Sequence, residues 1–419
     1  MEVRPGYKQT EVGVIPDDWE VGALGSWASF RTGPFGSALH KSDYTHGGVP
    51  VVNPMHIIDG EIQPTVTMTI TEQAAESLAD FRLKLGEIVI GRRGDMGRCA
   101  VVTERQAGWL CGTGSMIIRP RNADPDFLQR VLSSPPAIAA IEESSVGTTM
   151  VNLNQGILAS LKIPFPPLPE QRDIAAALGD VDALLSRLDR LIAKKRDLKQ
   201  AAMQQLLTGQ TRLPGFEGEW ELKRLGEVAE MGSGGTPPSA VSAYYDGDIP
   251  WVAISDMTRA GKVITSTERN LTAIGLANSA AQMFPAGTVL YAMYASLGEC
   301  SIAGVPLCSS QAILGIRPKS VCLDGTYLYY YLASLKNVVR ALGQQGTQAN
   351  LNKGMVQDFR LNLPPVAEQR AIAAVLSDMD TELAALEARR DKTRLLKQGM
   401  MQELLTGKTR LITPEAAHV

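Results

Sequence analysis

The 419 residues exceed what one typical core needs and leave room for two domains. With 44% hydrophobic and 20% charged residues the chain has an ordinary globular composition, and nothing marks it as disordered. A net charge of −3 and a pI near 5.9 offer no global attraction to a polyanion, so any nucleic-acid binding must come from local patches.

Residues 1–162 read as a mixed α and β domain. The opening MEVRPGYKQTEVGVIPDDW has no apolar targeting segment, and no run of 18 apolar residues follows, so a cytoplasmic location without a membrane is expected. Short β-branched runs at 87–90, 100–103 and 115–118, bounded by Gly, Pro or Asp, predict strands, and 125–132 predicts a helix. Four prolines, Pro164, Pro166, Pro167 and Pro169, then fix an extended approach to a long helix, 163–212 overall, which Gly209 is placed to end as a left-handed cap. Its apolar residues Ile174, Leu178, Val181, Leu185 and Leu188 recur at alternating steps of four and three, a coiled-coil seam. Roughly 38 residues at about 1.5 Å each make a rod of roughly 57 Å, and an amphipathic rod needs a partner. After Leu188 the seam thins into Lys194, Lys195, Arg196 and Lys199, which reads as a solvated face.

The chain then repeats itself. Residues 213–362 predict strands at 287–291 and 312–316 and a helix at 326–334, and 363–419 predict a second long helix with the seam Ile372, Leu376, Met379, Leu383 and Leu386, ending at Gly407. Residues 170–213 and 368–411 align without a gap at an offset of 198 and match at 25 of 44 positions. The duplication extends into the domains. WEVGALG (19–25) answers WELKRLG (220–226), Gly97 and Cys99 answer Gly298 and Cys300, and GTTMVNLN (147–154) answers GTQANLN (346–352). The layout is therefore domain, helix, domain, helix, and the two matched seams are expected to pair antiparallel. The less favoured arrangement lays each helix on its own globular domain.

The chain lacks the motifs of chemistry. No Asn/Asp-Pro-Pro-aromatic tetrad for amino methylation and no Gly-rich phosphate loop after a strand is present, and TGKT at 406–409 has Gln402 where a phosphate loop needs Gly. The five cysteines form no CxxC pair and read as buried strand residues, and the four histidines have no ligand spacing.

Four stretches, GVIPDDW near the start, PPLPEQRDIA before the first long helix, LLTGQTRLPGFEGEW after it, and PPVAEQRAIA with LLTGKTRL at the end, together resemble the specificity subunit of type I restriction-modification systems over essentially the whole chain. The resemblance implies an α+β protein: two target recognition domains separated by two long antiparallel coiled-coil helices. It implies a non-catalytic subunit that binds double-stranded DNA, reads a bipartite, asymmetric target, and docks two methyltransferase (modification) subunits and restriction/translocase subunits. S-adenosylmethionine, ATP and Mg2+ are then expected in those partners and none of them in this chain.

The domains differ where side chains are polar or aromatic, which suggests two related surfaces of different specificity. Arg, Lys and Gln can pair with base edges, so the DNA-binding candidates are Arg31, Lys41, Tyr44, Arg92 and Arg93 in the first domain and Tyr244, Tyr245, Tyr294, Gln344, Gln345 and Gln348 in the second. Asn152, Asn154, Asn350 and Asn352 occur in both domains, which fits support of a loop or a phosphate contact better than base reading. A different class of function, a duplicated scaffold that joins proteins and never touches DNA, also fits the acidic pI.

Overall fold

The computed structural model describes residues 3–34, 38–63, 66–94, 96–144, 153–344 and 350–411. The chain divides into two compact units, Met1–Leu188 with Arg389–Val419, and Asp189–Ala388. The divisions fall inside the two long helices, Leu168–Leu207 and Val366–Leu404, so each unit holds a globular domain, the start of one helix and the end of the other.

In the first unit an antiparallel sheet has the order Cys99–Val101, Ile88–Gly91, Ser115–Pro120, Ala28–Thr32. The period of two along its central strands gives it two apolar faces. Ile88, Ile90, Met116 and Ile118 face a core completed by Phe127, Leu128 and Val131 of the helix Pro125–Leu132. Val89, Ala100 and Ile117 face the other way, onto Val52 and Cys111 of a second sheet, where Val49–Val52 runs parallel to Leu110–Cys111. A two-stranded ribbon, Glu20–Ala23 with Lys162–Phe165, leads into the first long helix.

The second unit repeats this plan. Cys300–Ala303, Val289–Ala292, Ile313–Pro318 and Ala229–Ser233 take the same antiparallel order, with Val263–Ile264 added as a parallel edge. Tyr245–Val252 runs parallel to Cys308–Ser309, and Glu221–Arg224 pairs with Arg360–Leu363 ahead of the second long helix. Four of the five cysteines, Cys99, Cys111, Cys300 and Cys308, are buried strand residues, as their flanking runs predict, whereas Cys322 is half-buried and outside any strand.

Both long helices end as expected, with Gly209 and Gly407 at φ +73° and +68°. Their packing corrects the seam reading in two respects. Ile174 and Leu178 lie in the globular core of the first unit, beside Leu404 and Leu405 from the end of the second helix; Ile372 and Leu376 lie in the core of the second unit, beside Leu206 and Leu207. The first turns of each helix therefore bind their own domain as well as the other helix. An apolar stripe specifies that a surface is covered without specifying whether a helix or a sheet covers it. Farther along, Leu188 and Leu383 are buried and Val181, Leu185, Met379 and Leu386 half-buried.

The second correction concerns the basic run. In the second unit Lys195 pairs with Glu382 at 2.6 Å, Arg196 with Glu387, and Lys199 with Asp380, so three of its four cations join the helices. In the first unit Lys397 reaches Asp182 at 2.6 Å. In the first unit Asp182 meets Lys397 while the earlier Ile174 and Leu178 share a core with the later Leu404 and Leu405. In the second Lys199 meets Asp380 while the later Leu206 and Leu207 share a core with the earlier Ile372 and Leu376, so within each unit the helices pair antiparallel.

The repeated EQR and TR pairs clasp each unit shut. Buried Glu170 accepts from Arg410 Nε at 2.6 Å and Nη2 at 2.7 Å and from Trp19 Nε1 at 2.9 Å, while Arg410 also donates twice to Asp18, both at 2.8 Å. In the second unit Glu368 accepts from Arg212 at 2.5 and 2.6 Å. The neighbouring glutamines act as plugs: Gln171 donates to Pro166 O at 2.8 Å and accepts from Asp124 N at 2.9 Å, and Gln369 does the same with Pro364 O at 2.9 Å and Asp324 N at 2.8 Å. Burial works against the charge of Arg410, yet the Glu170 and Asp18 carboxylates hold its pKa above arginine's usual value.

Candidate nucleic-acid interface

One end of each main sheet gathers the loops in which the two domains differ. In the first domain the loop after Ala28–Thr32 is pinned by Gly33 N to Ser115 O at 3.0 Å, the loop after Ile88–Gly91 by Arg92 N to Gly114 O at 2.9 Å, and the segment at 153 by Leu153 N to Arg92 O at 2.9 Å. The second domain closes in the same way, Gly234 N to Ile313 O at 3.0 Å, Met293 N to Ala312 O at 2.9 Å and Leu351 N to Met293 O at 3.0 Å. Glycine is required where these backbones meet: a Cβ on Gly33 would stand 2.0 Å from Gly112 O, and one on Gly234 2.2 Å from Ser310 O.

The turn after the central strand keeps its backbone through a change of sequence. Gly97 and Gly298 both have φ +76°, and Gly94, at φ +81°, is answered by Ala295 at φ +56°. A left-handed alanine costs about 1 kcal/mol, so the surrounding hydrogen bonds hold a conformation that the second domain's own residue disfavours. Asn154 and Asn352 cap short helices by accepting from Ile157 N at 2.9 Å and Met355 N at 3.0 Å, the loop-supporting role that their presence in both domains suggests.

Against this frame the candidates separate. Arg92 donates through Nε to Leu153 O at 3.0 Å, so its side chain is partly committed to holding the loop, whereas Arg93 is exposed beside it. Burial, and then the Arg93 guanidinium, lower the pKa of Arg92, leaving positive charge that an anion would relieve. Tyr294, at the position of Arg93, is half-buried against the second unit's core. Arg31 is paired with Asp80 at 2.5 Å, its guanidinium 4.9 Å from the centre of the Phe81 ring. Tyr44 and Tyr244 lean on the smaller apolar clusters of their domains. The backbone of Lys41 begins the turn Lys41–Asp43.

Tyr245 departs from the role expected of it. It is 7% exposed, its hydroxyl donates to Pro237 O at 2.6 Å, its ring meets Trp251 edge-on at 6.4 Å, and Arg269 stacks 4.2 Å from its centre. It is an internal brace, and a tyrosine in a polar stretch gave no sign of that. Gln344 ends the helix Lys336–Gln344, while Gln345, Gln348 and Asn152 lie outside the described residues.

Residues 16–195 and 217–395 each match the model of the type I restriction modification DNA specificity domain, one globular domain with most of its long helix in each match. The chain belongs to that family. It is a type I specificity subunit with two DNA-recognition domains, the non-catalytic component of such a system. It is 23% identical over 419 residues to the type I restriction enzyme MjaVIII specificity subunit of Methanocaldococcus jannaschii, covering 95% of this chain and 94% of that one. It is 26% identical over 233 residues to the EcoR124I/EcoR124II specificity subunit of Escherichia coli, covering 53% and 55%. The fold of this specificity subunit is shared with a chain from a study of type I R-M complex assembly, at TM-score 0.60, 22% identity and coverage of 94% and 99%. It is shared too with the S subunit of M. genitalium, at TM-score 0.59, 16% identity and coverage of 96% and 98%. Among the described residues of the subunit no group of three or more His, Cys, Asp or Glu side chains could hold a metal ion, and no helix is long and apolar enough to cross a membrane.

Proposed function

We propose that this subunit reads a split, asymmetric DNA sequence, one half-site per globular domain, and thereby selects the adenine that partner methyltransferase subunits modify at N6. The observation that carries the reading is one scaffold used twice with different chemistry at the same loop end: exposed Arg93 beside the anchored Arg92 in one copy, half-buried Tyr294 beside the core residue Met293 in the other. Guanidinium groups suit phosphate and guanine edges, and tyrosine suits stacking and single hydrogen bonds, so the half-sites differ. Two continuous helices of 40 and 39 residues, each shared between the units, would set the gap between half-sites. Two modification subunits dock on this chain, restriction/translocase subunits join them, and all work in the cytoplasm; S-adenosylmethionine, ATP and Mg2+ belong to those partners. The target adenine is flipped from the duplex at a cost of a few kcal/mol into the methyltransferase pocket.

The reading is tested by co-expressing the chain with its methyltransferase subunit in a methylation-free host and mapping N6-methyladenine by long-read sequencing. A bipartite motif with a fixed gap, absent when the chain is omitted, is the expected result. The same motif without the chain, or an unsplit one with it, would replace this reading by that of a protein scaffold.

A further inference from the structure

Each unit contains a three-way junction centred on one carboxylate, and the two carboxylates, Asp182 and Asp380, are separated by the 198-residue offset of the duplicated helices. In the first unit Asp182, on the first long helix, takes Lys397 of the second long helix at 2.6 Å and Arg130 of the domain's own helix at 2.5 Å. In the second unit Asp380, on the second long helix, pairs with Lys199 of the first and accepts from the Tyr330 hydroxyl at 2.5 Å. Lys199 and Lys397 are again 198 residues apart, and Arg130 and Tyr330 occupy matching places in DPDFLQR and DGTYLYY.

The partners from the long helices are thus the same in both copies, while the partner from the domain has changed from guanidinium to phenol. The phenol brings its own support. Lys262 Nζ donates to Tyr330 Oη at 2.7 Å and to Ser377 Oγ at 2.9 Å and stands 3.7 Å from Asp380 Oδ2, restoring the cation that Arg130 supplies in the first unit. The side chains of Asp182, Asp380, Lys199, Lys262, Lys397 and Arg130 are only 16 to 31% exposed. Ion pairs so sheltered and so connected hold geometry in a way that single surface pairs do not.

We infer that Asp182 and Asp380 are positioning residues that set the angle of each recognition domain on the helix pair, and so the spacing at which its half-site is read. Each carboxylate ties the domain's own helix to both long helices, so its loss frees rotation of the domain on the pair while the apolar contacts around Leu178 and Leu376 remain. Neither junction contains a residue proposed to touch a base. The inference rests on the split-target reading above.

The test uses the full chain with its methyltransferase subunit and the same methylation map. Tyr330→Phe removes only the hydroxyl, and Asp182→Ala removes the other junction's centre; the charge-swapped pair Asp182→Lys with Lys397→Asp rebuilds the contact between the long helices. In the single variants methylation should spread to targets whose gap is one base pair longer or shorter, about five- to thirtyfold above the unaltered chain, with both half-site sequences unchanged. The charge-swapped pair restores the bond between the long helices but sets an ammonium against Arg130, so its gap should stay as broad as that of Asp182→Ala, and a gap narrowed to that of the unaltered chain would mean that the bond to Arg130 plays no part. Retained gap fidelity in both single variants, altered half-site sequences, or uniform loss of methylation in step with a lowered melting temperature would each overturn the inference. An unsplit motif from the unaltered chain would instead remove the reading beneath it.

Discussion

At the scale of single residues, the loop end and the clasps answer to different measurements. Arg93 is exposed beside the anchored Arg92, so Arg93→Ala should weaken binding by about 1 to 3 kcal/mol to DNA carrying the first domain's half-site, while binding through the second half-site keeps its strength. Competition binding with half-site duplexes measures this, and equal loss on unrelated DNA would assign Arg93 to phosphate contact alone. Arg410→Ala strands the buried carboxylate of Glu170 and should cost about 3 kcal/mol of stability, read from chemical denaturation. His56 supplies a pH dependence. It is buried, and Asn53 N donates to its Nδ1 at 3.0 Å, so burial lowers its pKa below the ordinary 6.5. The unfolded chain therefore takes up the proton first, and the first unit should keep full stability above pH 6.5 and lose it as the pH falls toward the lowered value. His56→Asn should abolish that slope in a melting series between about pH 7.5 and 5.5. The clasps were half visible in the sequence: EQR and TR recur at one offset, but nothing local says that Arg410 meets Glu170, 240 residues away.

At the scale of elements, the long helices were the most readable part because their signals are local: prolines before, glycine after, and apolar residues at helical spacing between. The strand pairings were not. Tyr245–Val252 lies parallel to Cys308–Ser309 across more than fifty residues, a relation that leaves no periodicity in either strand. The basic run shows the same limit from the other side. Four cations on a helix face look alike whether water or a second helix's carboxylates receive them, and here Glu382, Glu387 and Asp380 do. If the helices set the gap, inserting four residues after Ala193 and four at the matching place in the second helix adds about 6 Å to each. The methylation map should then show the gap lengthened by roughly one to two base pairs at about 3.4 Å each, with unchanged half-sites; an unchanged gap would mean that the helices do not measure it.

At the scale of the molecule, the duplication carried the architecture. Matching at a fixed offset gave two domains and two helices before any strand was placed, and both family matches fall on those repeats. What remained hidden was the manner of assembly: each unit is completed by the far helix's end, Leu404 and Leu405 in one and Leu206 and Leu207 in the other. The candidate site was legible only as a difference between copies. The loops are where the domains diverge, and the divergence of Tyr245 proved to be an internal brace. Two domains on equivalent mounts should read their half-sites independently. The most direct measurement replaces residues 213–360 with a second copy of residues 14–162, co-expresses the chimera with the methyltransferase subunit, and maps N6-methyladenine. An interrupted motif in which the first half-site occurs twice is expected, and the original asymmetric motif persisting in the chimera would contradict independent reading.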